Sequence, residues 1–154
     1  MGAFADACSA WARESKARMT GVFRQSAQTV YTEIQKSAKL PKVTGNLRRS
    51  LLVSTAAMPL QAEPKVEFKE EIPDRPLAIA TATLDDTIFV GLQANYAHRV
   101  NYGFVGVDSI GRKYDQKGAH FIEDVIDRWP EIVKSAAAKV EADSAAWKAG
   151  KAPT

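Results

Sequence analysis

Apolar residues in the first forty positions recur at three- and four-residue steps, or sums of such steps, and this periodicity constrains the fold most strongly. They are Phe4, Cys8, Trp11, Met19, Val22, Phe23, Val30, Tyr31 and Ile34, with Ser15, Ser26, Ala27 and Ala38 in the gaps. Such spacing places side chains on one stripe of an α-helix. Pro41 lacks a backbone N–H and clashes with the preceding turn, so the predicted helix ends before it.

A second helical pattern lies near the carboxyl end. Its apolar positions are Ile122, Val125, Ile126, Trp129, Ile132, Val133, Ala136 and Val140. Pro130 falls inside the pattern, so we expect a kink there or the start of a new helix. Gly150 and Pro153 end the element, and we expect residues 151–154 to fray.

The region between the two helices favours short strands and loops. Residues 51–57 predict a strand, and two β-rich runs around Asp85-Asp86, at 76–84 and 87–92, predict a hairpin. Residues 94–102 predict a short helix. The proline-rich, acidic segment 58–75 is predicted to form a protruding loop or an irregular edge ribbon, with Val66 and Phe68 as its only strand-like pair. The glycine-rich segment 103–118 is predicted to form a loop or a flexible arm.

Together these elements predict an α+β fold. A small antiparallel sheet of three to four strands packs against a long N-terminal helix and a kinked C-terminal helix. The length of 154 residues suits one domain, which we place at 1–150. No signal peptide or membrane-spanning run is visible, so we expect synthesis in the cytoplasm and no membrane association. The single Cys8 excludes an intramolecular disulfide, and we expect it to be buried.

Few residues suggest catalysis. His120, Glu123 and Asp124 form the best metal-like cluster, but zinc sites need more nitrogen or sulfur ligands, and acidic residues also favour helix starts. Asp85-Asp86 suits a turn better than an acid/base pair. There is no nucleophile elbow, dinucleotide-binding glycine motif or phosphate loop. We therefore expect no enzyme activity, no catalytic residues, no cofactor and no metal, with a small hydrolase using the His120 cluster as a remaining alternative.

The charge is unevenly distributed along the chain. Residues 1–60 carry nine Lys/Arg and three Asp/Glu, a net charge of +6, whereas residues 61–99 carry a net charge of −3. This asymmetry permits charge complementarity between copies of the chain. It also permits an alternative function, a basic nucleic-acid-binding module, through the cations Arg13, Lys16, Arg18, Arg24, Lys39, Lys42, Arg48 and Arg49.

Three motifs, in order, resemble a family of head–tail joining, or tail-completion, proteins of tailed bacteriophages and prophages. The first is Thr44-Gly45-Asn46-Leu47-Arg48-Arg49-Ser50, after a long helix and a proline. The second joins Val90-Gly91 to the run Tyr96-Ala97-His98-Arg99-Val100-Asn101-Tyr102-Gly103. The third is Ala119-His120-Phe121-Ile122 at the start of the last helix. The family usually has an acidic residue at the position of Asn101 and a short segment in place of 104–118.

This resemblance implies a structural virion protein of the phage neck. It implies a homo-oligomeric ring, of six copies, between the portal-side connector or head-closure protein and the tail terminator or tail-tube protein, with genome DNA passing through its lumen without sequence readout. Assembly would take place in the bacterial cytoplasm. The assembly interface is predicted at Thr44, Gly45, Asn46, Leu47, Arg48, Arg49, Ser50, Tyr96, Tyr102 and Gly103. In one such contact, loop 58–75 of one copy meets Lys42, Arg48 and Arg49 of its neighbour.

Overall fold

The computed structural model describes residues 2–42 and 44–149. Its elements, in chain order, are α1 (Ala3–Lys36), α2 (Asn46–Arg49), β1 (Leu51–Ser54), α3 (Leu77–Thr81), β2 (Phe89–Leu92), α4 (Ala97–Tyr102), β3 (Gly103–Val107), β4 (Lys113–Lys117), α5 (Phe121–Asp127) and α6 (Trp129–Lys148). The α+β class predicted from the sequence is confirmed. The predicted frayed tail at 151–154 lies outside the described residues.

Both long helices form where the apolar periodicity predicts them. α1 ends at Lys36, and Ser37 and Leu40 then donate backbone hydrogen bonds to the carbonyls of Ile34 and Ser37. Pro130 lies in the first turn of α6, where its missing N–H costs nothing, and α5 ends just before it. The predicted restart of the helix at this proline is therefore confirmed.

The four strands form two separate pairs, where the sequence predicted one sheet. β1 pairs antiparallel with β2, with Leu51 opposite Leu92 and Ser54 opposite Phe89. The predicted hairpin over 76–92 is wrong, because Leu77–Thr81, directly after Pro76, form helix α3. Asp86 does close a turn, since its carboxylate accepts hydrogen bonds from the backbone and the hydroxyl of Thr83, at 2.7 and 2.9 Å.

Residues 103–118 are more regular than the predicted flexible arm. β3 and β4 pair antiparallel from Gly103–Lys117 to Val107–Lys113. Asp108 closes the turn by accepting backbone hydrogen bonds from Ile110 and Arg112, at 3.0 and 2.8 Å. The segment is a β-hairpin that packs against α4.

The core lies where α1, α5 and α6 meet α2, α3 and the β1–β2 pair. Its most buried apolar side chains are Tyr31, Leu47, Leu51, Ile79, Phe121, Val125 and Ile132. Only the C-terminal half of the α1 stripe takes part in it. Cys8, predicted to be buried, is exposed together with Phe4 and Trp11.

Candidate assembly interface

The Thr44–Ser50 segment forms a tight turn and the single helical turn α2. Gly45 has φ +69°, a left-handed conformation that favours glycine, and it precedes the helix. Leu47 is 2% exposed and Ser50 is 1% exposed, with the Ser50 hydroxyl donating to the carbonyl of Leu47. These two predicted interface residues therefore stabilise the fold, because a neighbouring copy cannot reach them without unfolding the turn.

Asn46 connects α2 to the acidic loop, residues 58–75. Its side-chain oxygen accepts the backbone N–H of Phe68 at 2.7 Å. Its amide nitrogen donates to the carbonyl of Val66 and to the hydroxyl of Tyr96, both at 3.2 Å. The Asn46 carboxamide thereby uses both of its N–H donors and one acceptor position of its oxygen, and its partners belong to two distant segments of the chain. Asn46 and Tyr96, predicted separately from two motifs, meet in the structure.

Arg49 binds the same loop. Its guanidinium donates to the carbonyl of Phe68 and, at 2.8 Å, to the carbonyl of Thr44, and it lies 4.0 Å from the Glu71 carboxylate. The prediction that Arg49 meets the acidic loop of a neighbouring copy is corrected, because the guanidinium is occupied by the loop of its own chain. Lys42 and Arg48 remain exposed.

Further hydrogen bonds fix both ends of the acidic loop. The backbone N–H of Ala62 donates to the carbonyl of Gln93, and the Tyr31 hydroxyl donates to the carbonyl of Pro73, each at 2.7 Å. Between these anchors Phe68 packs against the core. Hollows of about 610 and 490 Å³ lie on the two sides of this contact. Of the two predicted alternatives the structure shows the loop, because residues 58–75 contain no strand. The charged side chains of the loop are exposed.

The second cluster lies where α4 meets α5. Asn101 is 1% exposed, and its amide nitrogen donates to both carboxylate oxygens of Glu123, at 2.8 and 3.1 Å. Its side-chain oxygen accepts the N–H of Ile122 at 3.2 Å. Asn101 therefore satisfies a free N–H at the start of α5.

Tyr102 lies beside this pair and between both histidines of the chain. Its ring centroid is 4.7 Å from that of His98 and 6.3 Å from that of His120. Glu123 raises the pKa of Tyr102, first as a hydrogen-bond acceptor and then through its charge. Desolvation acts to raise the pKa of Glu123. The pKa is nevertheless lowered overall, because the carboxylate accepts hydrogen bonds from Asn101, its own backbone and Tyr102 and lies near the charge of His120.

The proximity of His120 and Glu123 does not amount to a metal site. The Nδ1 of His120 lies 3.9 Å from a carboxylate oxygen of Glu123, and Asp124 instead pairs with Lys39 at 2.5 Å. Within residues 2–42 and 44–149, no group of three or more His, Cys, Asp or Glu side chains could hold a metal ion.

Gly103 joins this cluster to the hairpin. Its φ is +86°, and a Cβ atom there would lie 2.5 Å from the carbonyl oxygen of Gln116. The backbone of β4 therefore leaves no space for a side chain at position 103. The exposed side chain at this point of the predicted interface is that of the neighbouring Tyr102. On the hairpin, Val105 and Ile110 are exposed, while Phe104 packs under the guanidinium of Arg99 at 4.3 Å.

Half of the N-terminal cations have partners within the chain. Arg18 pairs with Glu14, Lys39 with Asp124, and Arg24 donates to the carbonyls of Thr81 and Ala82. Arg49 holds the acidic loop. Four of the eight candidate cations are thus engaged in separate contacts within the chain, whereas Arg13, Lys16, Lys42 and Arg48 are exposed.

Sequence reasoning missed the residues that tether the motifs. Phe68 looked like part of an irregular strand pair, and Asn101 looked like a departure from a family pattern. The available signal was the presence of a carboxamide side chain close to a glycine in both motifs: Asn46 follows Gly45, and Asn101 lies two residues before Gly103. Their partners lie about twenty residues away along the chain.

A scan against protein-family models finds no match to this chain, and searches of the curated proteins and of the solved structures find none either. In the part of the chain that the structure describes, no helix combines the length and the apolar character needed to cross a membrane.

Proposed function

We propose that this protein is a structural subunit of a tailed-phage neck, which forms a ring joining the DNA-filled head connector to the tail. The proposal rests on the ordered resemblance of three motifs to head–tail joining proteins. It requires no bond to be made or broken, and its partners are further copies of the chain, the head-side connector and the tail terminator or tube. Genome DNA passes through the lumen without base readout.

The observation that carries the proposal is the way the first motif holds the acidic loop. Asn46 and Arg49 fix Phe68, while Glu63, Glu67 and Glu70 remain exposed on the loop. Hydrogen bonding of the backbone at the centre of an otherwise irregular loop reduces its conformational entropy before binding. Pre-organisation of this kind favours a contact surface.

The complementary surface lies at the end of α1. Lys36, Lys42 and Arg48 line a hollow of about 410 Å³ there, and all three are exposed. In the proposed ring, the acidic loop of one copy meets this basic hollow on the next copy. Such a heterologous contact closes into a ring when the rotation between copies allows it, and the opposite charges steer the encounter.

The proposal is tested by the mass and shape of the assembled protein. We expect native mass spectrometry and negative-stain images to show closed rings, formed by the chain alone or with its head-side partner. Arg48→Glu should reduce ring formation, because it places like charge opposite the loop. Glu70→Arg in the same chain should restore it in part. The matched control Lys113→Glu, on the hairpin, should leave the rings intact.

A chain that remains monomeric with every head and tail partner would contradict the proposal. Equal ring yields from the Arg48→Glu, rescued and control variants would retain the ring but reject this contact. If Arg48→Glu reduces the binding of DNA and leaves ring formation unchanged, the result would instead favour the nucleic-acid-binding alternative.

A further inference from the structure

The basic hollow at the end of α1 contains a buried amide that has no hydrogen-bond acceptor. Gln35, in the last turn of α1, lines the hollow and is 4% exposed. Its Nε2 atom is buried and has no hydrogen-bond partner among the described residues. Buried donors without an acceptor lower the stability of a protein and are rare in folded chains. Gln35 therefore requires an acceptor that the rest of the described chain does not supply.

Three cations surround the same hollow. Lys36, Lys42 and Arg48 line it, and in the part of the chain that the structure describes none of them forms an ion pair. Lysines near the C-terminus of a helix are favourable because of the helix dipole, so the charges alone do not define a ligand site. Together with the buried amide of Gln35, however, they form a group of donors that has no acceptor.

We propose that the basic hollow is a binding site for a single carboxylate group. One carboxylate oxygen accepts a hydrogen bond from Nε2 of Gln35, and the other accepts from Arg48, whose guanidinium donors match the spacing of a carboxylate. The last torsion of a glutamine side chain is soft, so the amide can turn toward the ligand at little cost. A trapped water molecule would satisfy the amide but would leave the three positive charges without a counter-charge.

The confinement of the free charge favours a carboxylate over a nucleic acid. A nucleic acid binds through a row of phosphates and requires cations along that row. Two further cations near the hollow in the sequence are already engaged, since Lys39 pairs with Asp124 and Arg49 donates to the carbonyl of Phe68. The remaining free charge surrounds one hollow of about 410 Å³, which suits one acidic side chain.

The chain itself supplies such side chains on the acidic loop. Glu63, Glu67 and Glu70 are exposed there, and Asn46 and Arg49 hold the loop in position. The carboxylate that enters the hollow then comes from the acidic loop of another copy. This assignment of the source rests on the ring proposed above, whereas the affinity of the hollow for a carboxylate does not.

NMR titration of the full chain tests the site directly, because the side-chain amide of Gln35 gives its own pair of signals. The probe is a synthetic peptide of residues 62–72, added where sedimentation shows the chain to be monomeric. The control peptide has Gln at its four glutamate positions, 63, 67, 70 and 71. The Gln35 signals should move and saturate with the first peptide and remain in place with the control peptide and with inorganic phosphate at equal ionic strength. Signals that ignore the glutamate peptide, or that move equally with the control peptide or phosphate, would overturn the proposal.

Gln35→Leu should separate stability from binding. The substitution removes a buried amide that has no acceptor, so the melting temperature should stay equal or rise, while the affinity for the glutamate peptide should fall about tenfold. The matched control Ser26→Ala removes another buried polar group without a partner from the same helix, away from the hollow. It should also keep or raise the melting temperature and should bind the peptide like the wild type. Equal peptide affinities in Gln35→Leu and the wild type would overturn the proposal.

Arg48→Gln provides a second test that does not depend on the folding of Gln35→Leu, because the Arg48 side chain is exposed. Removal of this charged donor should also weaken the binding of the glutamate peptide about tenfold. An unchanged affinity would contradict the proposed site.

The two proposals fail in different ways. Peptide binding at Gln35 in a chain that forms no ring with any neck partner would retain the carboxylate site and reject the neck ring. Rings that form while the hollow ignores the peptide would retain the ring and reject the site. If a DNA oligonucleotide moves the Gln35 signals and the peptide does not, the hollow binds phosphate and the carboxylate proposal is overturned.

Discussion

The side-chain oxygen of Asn46 accepts the backbone N–H of Phe68 at 2.7 Å, across twenty-two positions of the sequence. With Arg49 bound to the carbonyl of the same residue, both polar groups of one peptide segment in the acidic loop are satisfied by α2. The loop is therefore positioned by hydrogen bonds from α2, not by strand pairing.

Replacement of Asn46 by Ala should release the loop. The backbone N–H of Phe68 loses its acceptor and Tyr96 loses its donor, which should cost about 1–3 kcal/mol of unfolding free energy. Urea denaturation measures that loss, and hydrogen exchange at Val66 and Phe68 should accelerate. Lys69→Ala, on the same loop, is the control and should change neither quantity. Unchanged exchange in Asn46→Ala would show that Phe68 packing alone holds the loop.

Asn101→Asp tests the second cluster with an almost isosteric change. The new carboxylate would face Glu123 in place of the amide that donates to both of its oxygens. Like charges raise the pKa of a carboxyl group, so the variant should lose about 1–3 kcal/mol at neutral pH and recover part of it on acidification. Thermal unfolding at pH 7 and pH 5 checks this. A loss independent of pH would exclude charge repulsion as its cause.

The lowered pKa of Glu123 predicts how wild-type stability depends on pH. The carboxylate is favoured in the folded state, relative to a reference pKa of 4.5. Its stabilising contribution is thus fully present above that reference and is lost as pH falls through the lower folded pKa. Denaturant midpoints measured below pH 5 should fall less steeply in Glu123→Gln than in the wild type. Parallel curves would show that other carboxyl groups cause the acid sensitivity.

Gly103 and Gly111 form a matched pair of positive-φ glycines, at +86° and +83°. A Cβ atom at Gly103 would meet the Gln116 carbonyl at 2.5 Å, whereas at Gly111 it would meet nothing within 4 Å. Gly111→Ala should therefore lower the free energy of unfolding by about 1 kcal/mol, because a residue with a Cβ atom is disfavoured in the left-handed conformation. Gly103→Ala should cost clearly more and should separate the hairpin from α4. Equal losses in melting temperature would show that the close approach relaxes freely.

The parts of the fold that sequence predicts are those set by local chemistry. The apolar period of α1, the proline at the start of α6 and the turn at Asp86 each act within a few residues. The pairing of β1 with β2 is not local, since Leu51 meets Leu92 across the whole acidic loop. The run after Pro76 has β-rich composition, yet it forms α3, where Ile79 is completely buried. Tertiary packing overrides a weak local preference there.

The β3–β4 hairpin and the candidate assembly interface also depend on contacts that the local sequence does not predict. β4 is exposed along its entire length, so it has no alternation of apolar and polar residues to reveal it. The motifs did not show that Leu47 and Ser50 are buried or that the Arg49 guanidinium binds the acidic loop of its own chain. The stripe on α1 was predicted correctly as a stripe, and its N-terminal half differs only in having no partner among the described residues.

The most direct test of the neck assignment is deletion of the gene from a phage or prophage that carries it, followed by electron microscopy of the lysate. We expect DNA-filled heads and separate, complete tails, with joined particles restored by the wild-type gene and not by Arg48→Glu. Infectious, normally joined particles from the deletion would contradict the neck assignment.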